Sequence, residues 1–135
     1  MFPRGIYVLV LRVNGKLKVG KLGEINFRGR YAYIGSNQRG GRIERHLRKG
    51  KKKKWHIDYL TEVGEVEKVI VLPGLCREFE EKLAKKLEKF ECVRGFGNSD
   101  CRDRSHLFKF SDKLEKEVMG FAKENGVRPE VFELK

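Results

Sequence analysis

Arg30-Tyr31-Ala32-Tyr33-Ile34-Gly35-Ser36-Asn37 is an aromatic and β-branched stretch that closes on a glycine and two small polar residues. It reads as a buried strand over Tyr31 to Gly35 that runs into a turn. Arg39 to Lys54 (RGGRIERHLRKGKKKK) follows at once: a Gly-Gly turn, a basic helix over about Arg42 to Lys49, and four consecutive lysines. A strand that delivers its end to a cationic helix brings backbone and positive charge to one place. That arrangement suits an anion.

The flanking segments give the fold class. Ile6 to Val13 (IYVLVLRV) is a buried strand by composition, and Asn14-Gly15 after it is a two-residue hairpin signal, so Lys16 to Leu22 should return antiparallel to it. A short strand around Ile25 to Phe27 sits between Gly23 and Gly29, and Val66 to Leu72 is another strand, stopped by Pro73-Gly74. Trp55 to Leu60 (WHIDYL) is a short helix or turn, and a longer helix spans about Leu75 to Phe90 with apolar residues at 76, 79, 83, 87 and 90. Residues 91 to 105 are irregular. His106 to Phe110 resembles a strand, and Ser111 or Asp112 caps a last helix with Leu114, Val118 and Ala122 inward. The 135 residues make one α+β domain: a small mixed or antiparallel sheet flanked by helices, with a core over 1–110 and a C-terminal helix and tail over 111–135.

Charge is concentrated. Arg39 to Lys54 holds nine Lys or Arg against Glu44 alone, which places +8 of the chain's net +12 in that segment. Such a charge balance points to nucleic acid or an anionic surface. No apolar run reaches the length of a membrane span and no secretory signal is seen, so a cytoplasmic protein without a membrane partner is the expectation. Abundant Lys and Glu beside a single Gln, Gln38, is a thermophile-like composition. Cys76, Cys92 and Cys101 are too few and too scattered for a disulfide framework, and Cys92, Cys101 and His106 match no structural zinc spacing. They read as core cysteines.

On a wheel of about 100° per residue, Ile43 and Leu47 share one face of the basic helix and Arg42, Arg45, His46 and Lys49 another. Arg can grip a phosphate with two parallel hydrogen bonds, and Lys51, Lys52, Lys53 and Lys54 would add salt-sensitive attraction, as would Arg39. In the longer helix, Glu80 lies about 60° from the centre of the apolar stripe. That is the edge where a carboxylate can meet a site between helix and sheet.

These residues together resemble the GIY-YIG nuclease superfamily. Gly5-Ile6-Tyr7 begins a strand, Tyr33-Ile34-Gly35 ends one, Arg42 opens the next helix and Glu80 lies on a later one. The chain is closest to an uncharacterised archaeal and bacterial branch that carries WHIDYL (55–60) and a GFG-x-SDC-x3-SHLF-like segment (95–108). The resemblance implies a divalent-metal-dependent endonuclease acting on DNA, or RNA second, with one Mg²⁺ or Mn²⁺ held by Glu80. It implies that Tyr7 or Tyr33 positions or deprotonates the attacking water, at a phenol acidity the site must raise. It further implies that Arg42 braces the scissile phosphate, that His46 stands for the family's Tyr or His one turn later, and that His56 is an accessory histidine. The chain departs from the family in three ways. Twenty-five residues separate Tyr7 from Tyr33, so an extra hairpin is inserted; Ser36 follows Gly35 where many members carry Lys; and Asn98 is the candidate for the family asparagine. Those departures motivate the alternative, a non-catalytic nucleic-acid-binding module that keeps the fold and the patch.

Overall fold

β1 (Gly5–Arg12) organises the sheet, because every residue but the last is buried. A strand buried on both faces belongs in the middle, and both of its edges are taken. β4 (Arg30–Asn37) pairs with it antiparallel from Gly5↔Asn37 to Arg12↔Arg30. β5 (Glu65–Pro73) pairs on the other side from Gly5↔Pro73 to Arg12↔Glu65, with an irregularity between Val10 and Leu11. β6 (Leu107–Lys109) lies outside β4 and β7 (Glu130–Glu133) outside β5, giving the order β6-β4-β1-β5-β7, antiparallel throughout. The structure is a computed structural model and describes residues 2–96 and 105–134.

Strand alternation divides the core in two. Ile6, Val8 and Val10 of β1, with Ala32, Ile34, Ile70 and Leu72, pack against α3 (Glu78–Lys86) and α4 (Asp112–Glu124). Tyr7, Leu9 and Leu11, with Tyr33, Val69 and Val71, pack against Ile43 of α1 (Arg42–Leu47) and Ile57 and Leu60 of α2 (His56–Val63). The protein is α+β, as the sequence predicts. Ser111 Oγ accepts the Leu114 N–H at 3.2 Å to cap α4, whose Leu114, Val118 and Ala122 are buried as expected.

Three local expectations change. Asn14-Gly15 does not fold Lys16 to Leu22 back onto β1. Instead β2 (Gly15–Lys18) pairs with β3 (Glu24–Phe27) as a separate two-stranded sheet, while Asn14 Oδ1 accepts the Gly29 N–H at 2.9 Å. β1 has no free edge to offer, since β4 and β5 are longer and more apolar partners. The inserted hairpin therefore exists, but beside the main sheet. The helix expected over Leu75 to Phe90 is regular only over Glu78–Lys86, and Cys76 is exposed. β7, in the tail, has no counterpart in the sequence reading.

Candidate active site

The register of β1 and β4 sets Tyr7 opposite Gly35 and Leu9 opposite Tyr33, so the two phenols are diagonal neighbours on the face covered by α1 and α2. Gly35 is required by that geometry: a Cβ there would stand 2.2 Å from the Tyr7 hydroxyl oxygen. Tyr7 Oη lies 2.6 Å from His46 Nε2, and the Tyr33 and His46 rings meet edge to face at 6.0 Å. His46 is 1% exposed, and burial pushes its pKa down to about 3; Asp58 opposes the shift while Arg45, Lys51 and Arg42 reinforce it. The ring is neutral at physiological pH. The expected four-residue cationic face of α1 is thus corrected, because His46 turns inward with Ile43.

Burial also pushes both phenols upward. For Tyr7 the Tyr33, Glu80 and Asp58 charges add to it and Arg42 opposes; for Tyr33 Glu80 is the largest added charge, with Asp58 adding and Arg42 opposing. Neither phenol is made more acidic. Arg42 and Glu80, scattered along the sequence, thus each act on both phenols, and Tyr33 acts on Tyr7.

Arg42 is held through Trp55. Its guanidinium carbon lies 4.8 Å from the indole centroid, with that of Arg45 at 4.4 Å and Lys54 Nζ at 5.1 Å. Trp55 is fixed by Asp58, whose buried carboxylate accepts from Arg45 Nη1 at 2.6 Å, Arg45 Nη2 at 2.9 Å, and the backbone N–H groups of Lys54 at 2.7 Å and Trp55 at 2.9 Å. Burial resists ionisation of Asp58, but Arg45 and the two amides outweigh it and hold the carboxyl at about 2. The WHIDYL segment is therefore a clamp: its aspartate anchors the start of α2, the turn before it, and an arginine of α1.

Glu80 comes from the other side of the sheet. α3 packs with Ile6, Val8 and Ile34, opposite the face that carries the phenols, yet Glu80 occupies its first turn at the sheet edge. There β6 covers only Tyr31 to Tyr33 of β4, and the Ile34 N–H goes to His106 O at 2.8 Å. His106, 2% exposed, places Nδ1 2.9 Å from Glu80 Oε2 and Nε2 3.1 Å from Glu81 Oε1. Burial opposes its protonation, but the two carboxylates prevail and raise its pKa. Among the described residues no three His, Cys, Asp or Glu side chains gather to enclose an ion. A single hard carboxylate at an open edge nevertheless suits Mg²⁺ or Mn²⁺, which take one or two carboxylates and fill their shell with water and phosphate oxygens.

Beside this set opens a cleft of about 600 Å³ lined by Arg39, Arg42, Arg45, Arg48, Arg77 and Trp55, and by no carboxylate among the described residues. Ser36 and Gln38 line it too: Ser36 is buried and accepts Gln38 Nε2–H at 2.7 Å, and the same amide donates to Leu75 O at 3.0 Å. The remaining candidates divide. Arg39, Lys52, Lys53 and Lys54 are exposed. Lys49 Nζ donates to the carbonyls of Thr61, Glu62 and Gly64 at 2.6, 3.0 and 2.7 Å, and Lys51 Nζ to Arg48 O at 2.6 Å, so both close backbone ends. His56 packs against Phe96 with ring centroids 5.5 Å apart. Cys92 packs on the core, as expected; Asn98 and Cys101 lie outside the described residues.

Sequence reasoning missed Arg77, Asp58 and the contacts of His106 with Glu80 and Glu81. Arg77 carried no signal, being one cation outside the patch. Asp58 carried one, as the acid of a tryptophan-led helix start. No helix among the described residues is long and apolar enough to cross a membrane. No curated protein and no solved structure matches the chain. A family described as "Domain of unknown function DUF123" matches residues 6–126, which span the phenols, the basic helix, the WHIDYL clamp and Glu80, and the chain belongs to that family.

Proposed function

We propose that the protein is a divalent-metal-dependent endonuclease of the GIY-YIG type that hydrolyses a phosphodiester bond in DNA. The observation that supports this best is the shared electrostatic influence of Arg42 and Glu80 on both Tyr7 and Tyr33, from four elements and two faces of the sheet. Arg42, its guanidinium carbon 4.8 Å from the Trp55 centroid, supplies the cation for the oxygens of the scissile phosphate. Tyr7 and Tyr33 remain protonated and orient by hydrogen bonding rather than acting as bases. The neutral imidazole of His46, in contact with Tyr7 Oη, fixes the direction of that hydroxyl; with a pKa of about 3 it is too weak a base to hold the proton of the attacking water, which passes to solvent. A Mg²⁺ or Mn²⁺ ion on Glu80 would draw charge from a phosphate oxygen and ease departure of the leaving oxygen.

A second reading, a nucleic-acid-binding module without catalysis, is favoured by two observations: both phenols are made less acidic, and Glu80 is engaged by His106. One screen separates the readings. Plain, nicked, flapped and branched DNA and RNA are incubated with and without Mg²⁺ or Mn²⁺, beside Glu80→Ala. Metal-dependent nicking by the wild type, lost in a variant of unchanged melting temperature, is the expected result. Equal behaviour of the two proteins sinks the nuclease reading, and salt-sensitive binding that survives EDTA without cleavage establishes the module.

A further inference from the structure

The arginine cleft is one of two adjoining recesses. A second, of about 470 Å³, is lined, among the described residues, by Arg45, Arg48 and Lys51 to Lys54. Arg45 and Arg48 belong to both, so the recesses share a wall. Among the described residues no carboxylate lines either. Buried Asp58 pairs with Arg45, and Arg48, Lys52 and Lys53 stand exposed around one hollow with no acidic partner among the described residues. A ligand that filled the first recess only, such as a phosphomonoester or a single nucleotide, would leave this second concentration of charge unmet.

The linings also show what is not read. Trp55 is approached by Arg42, Arg45 and Lys54 at 4.8, 4.4 and 5.1 Å, so its ring is engaged by cations rather than offered as a platform for a base. Gln38, the one side-chain amide that lines the cleft among the described residues, already donates to Ser36 Oγ and Leu75 O. What remains is guanidinium and ammonium, which contact phosphate and carry no sequence information.

We infer that the two recesses form a single track for the backbone of one nucleic-acid strand, so that the substrate is a polynucleotide extending several phosphates beyond the scissile one towards the lysine loop, bound without regard to base sequence. The inference rests on the nucleic-acid reading above and adds length and strand continuity to it. Arg48, which serves both recesses, is the junction, and Lys52 and Lys53 hold the distal phosphates.

Trp55 is the chain's one tryptophan and lines the first recess, so its fluorescence reports occupancy directly. The full chain is titrated in EDTA with a thymidine dinucleotide, a thymidine decamer and an adenosine decamer, as wild type and as the exposed double variant Lys52→Ala/Lys53→Ala. The decamers are expected to bind at least about tenfold tighter than the dinucleotide, and to agree with each other within about threefold. The double variant should lose the advantage of length, with a salt slope lower by about 1.4 and unchanged dinucleotide affinity. Affinity independent of length, a variant that binds decamers like wild type, or a strong base preference overturns the track and leaves the nucleic-acid reading standing. Failure of every oligonucleotide to bind the wild type overturns both.

Discussion

Tyr7 on β1 and His46 on α1 meet at 2.6 Å across 39 residues of chain, each no more than 1% exposed. The consequence is a pH dependence of stability with a definite sign. Above about pH 6.5 His46 is neutral in the folded and unfolded chain alike. Below it the unfolded chain takes up a proton that the native state refuses until about pH 3. Native stability should therefore fall as the pH drops through this window, by up to about 1.4 kcal/mol per unit from this group. Denaturant melts at pH 7, 5.5 and 4.5 on wild type and His46→Asn measure it. The variant should show the flatter profile, and parallel profiles would mean that the imidazole titrates freely in the fold.

Gly35 tests the packing of the same phenol. Its backbone is not in the left-handed region, so alanine is opposed by the Tyr7 ring rather than by φ. Gly35→Ala should destabilise by about 1–3 kcal/mol, as an overpacked site does. In a Tyr7→Ala background the added methyl meets no ring, and the same change should then cost little. A coupling below about 0.5 kcal/mol in the double-mutant cycle would contradict the close approach.

What was legible in the sequence follows the reach of each signal. β1, β4 and β5 were readable because strands buried on both faces carry uninterrupted apolar runs. The Asn14-Gly15 turn was a local cue overruled by a non-local fact, that both edges of β1 were already taken. The helical wheel gave the apolar side of α3 but could not say which face of the sheet it would cover, so the approach of Glu80 around the edge of β4 was invisible. Inward His46 and outward Arg42 were indistinguishable as members of a basic run; only the tyrosine opposite decided between them.

Asp58 is the group on which the clamp depends. With four hydrogen bonds to one buried carboxylate, Asp58→Ala leaves Arg45 and two backbone amides without their acceptor. The cost should be about 3 kcal/mol, the low end for a broken buried pair because Arg45 keeps 19% of its side-chain surface in water. The folded carboxyl sits at about 2 against about 3.9 in the unfolded chain, so its contribution is complete above about pH 4 and lost as the pH falls through 2. Since the amide of Trp55 is one of the partners, the emission of the free protein should shift in the same variant. A destabilised protein with unchanged emission would detach Asp58 from the placement of the indole.

Lys49 separates structural cations from binding ones. It lies in the densest basic segment, yet its ammonium caps the carbonyl end of α2 through Thr61, Glu62 and Gly64, where a cation also opposes the helix dipole. Lys49→Met keeps the length of the stem and removes the charge. It should lower stability by about 1 kcal/mol, while the salt slope of oligonucleotide binding stays within error of wild type. Lys52→Ala should do the reverse, because Lys52 is exposed and its side chain has no partner among the described residues. Thermal melts and salt titrations on the two variants decide the matter, and a fall in slope on losing Lys49 would show that its ammonium leaves the helix end to meet phosphate.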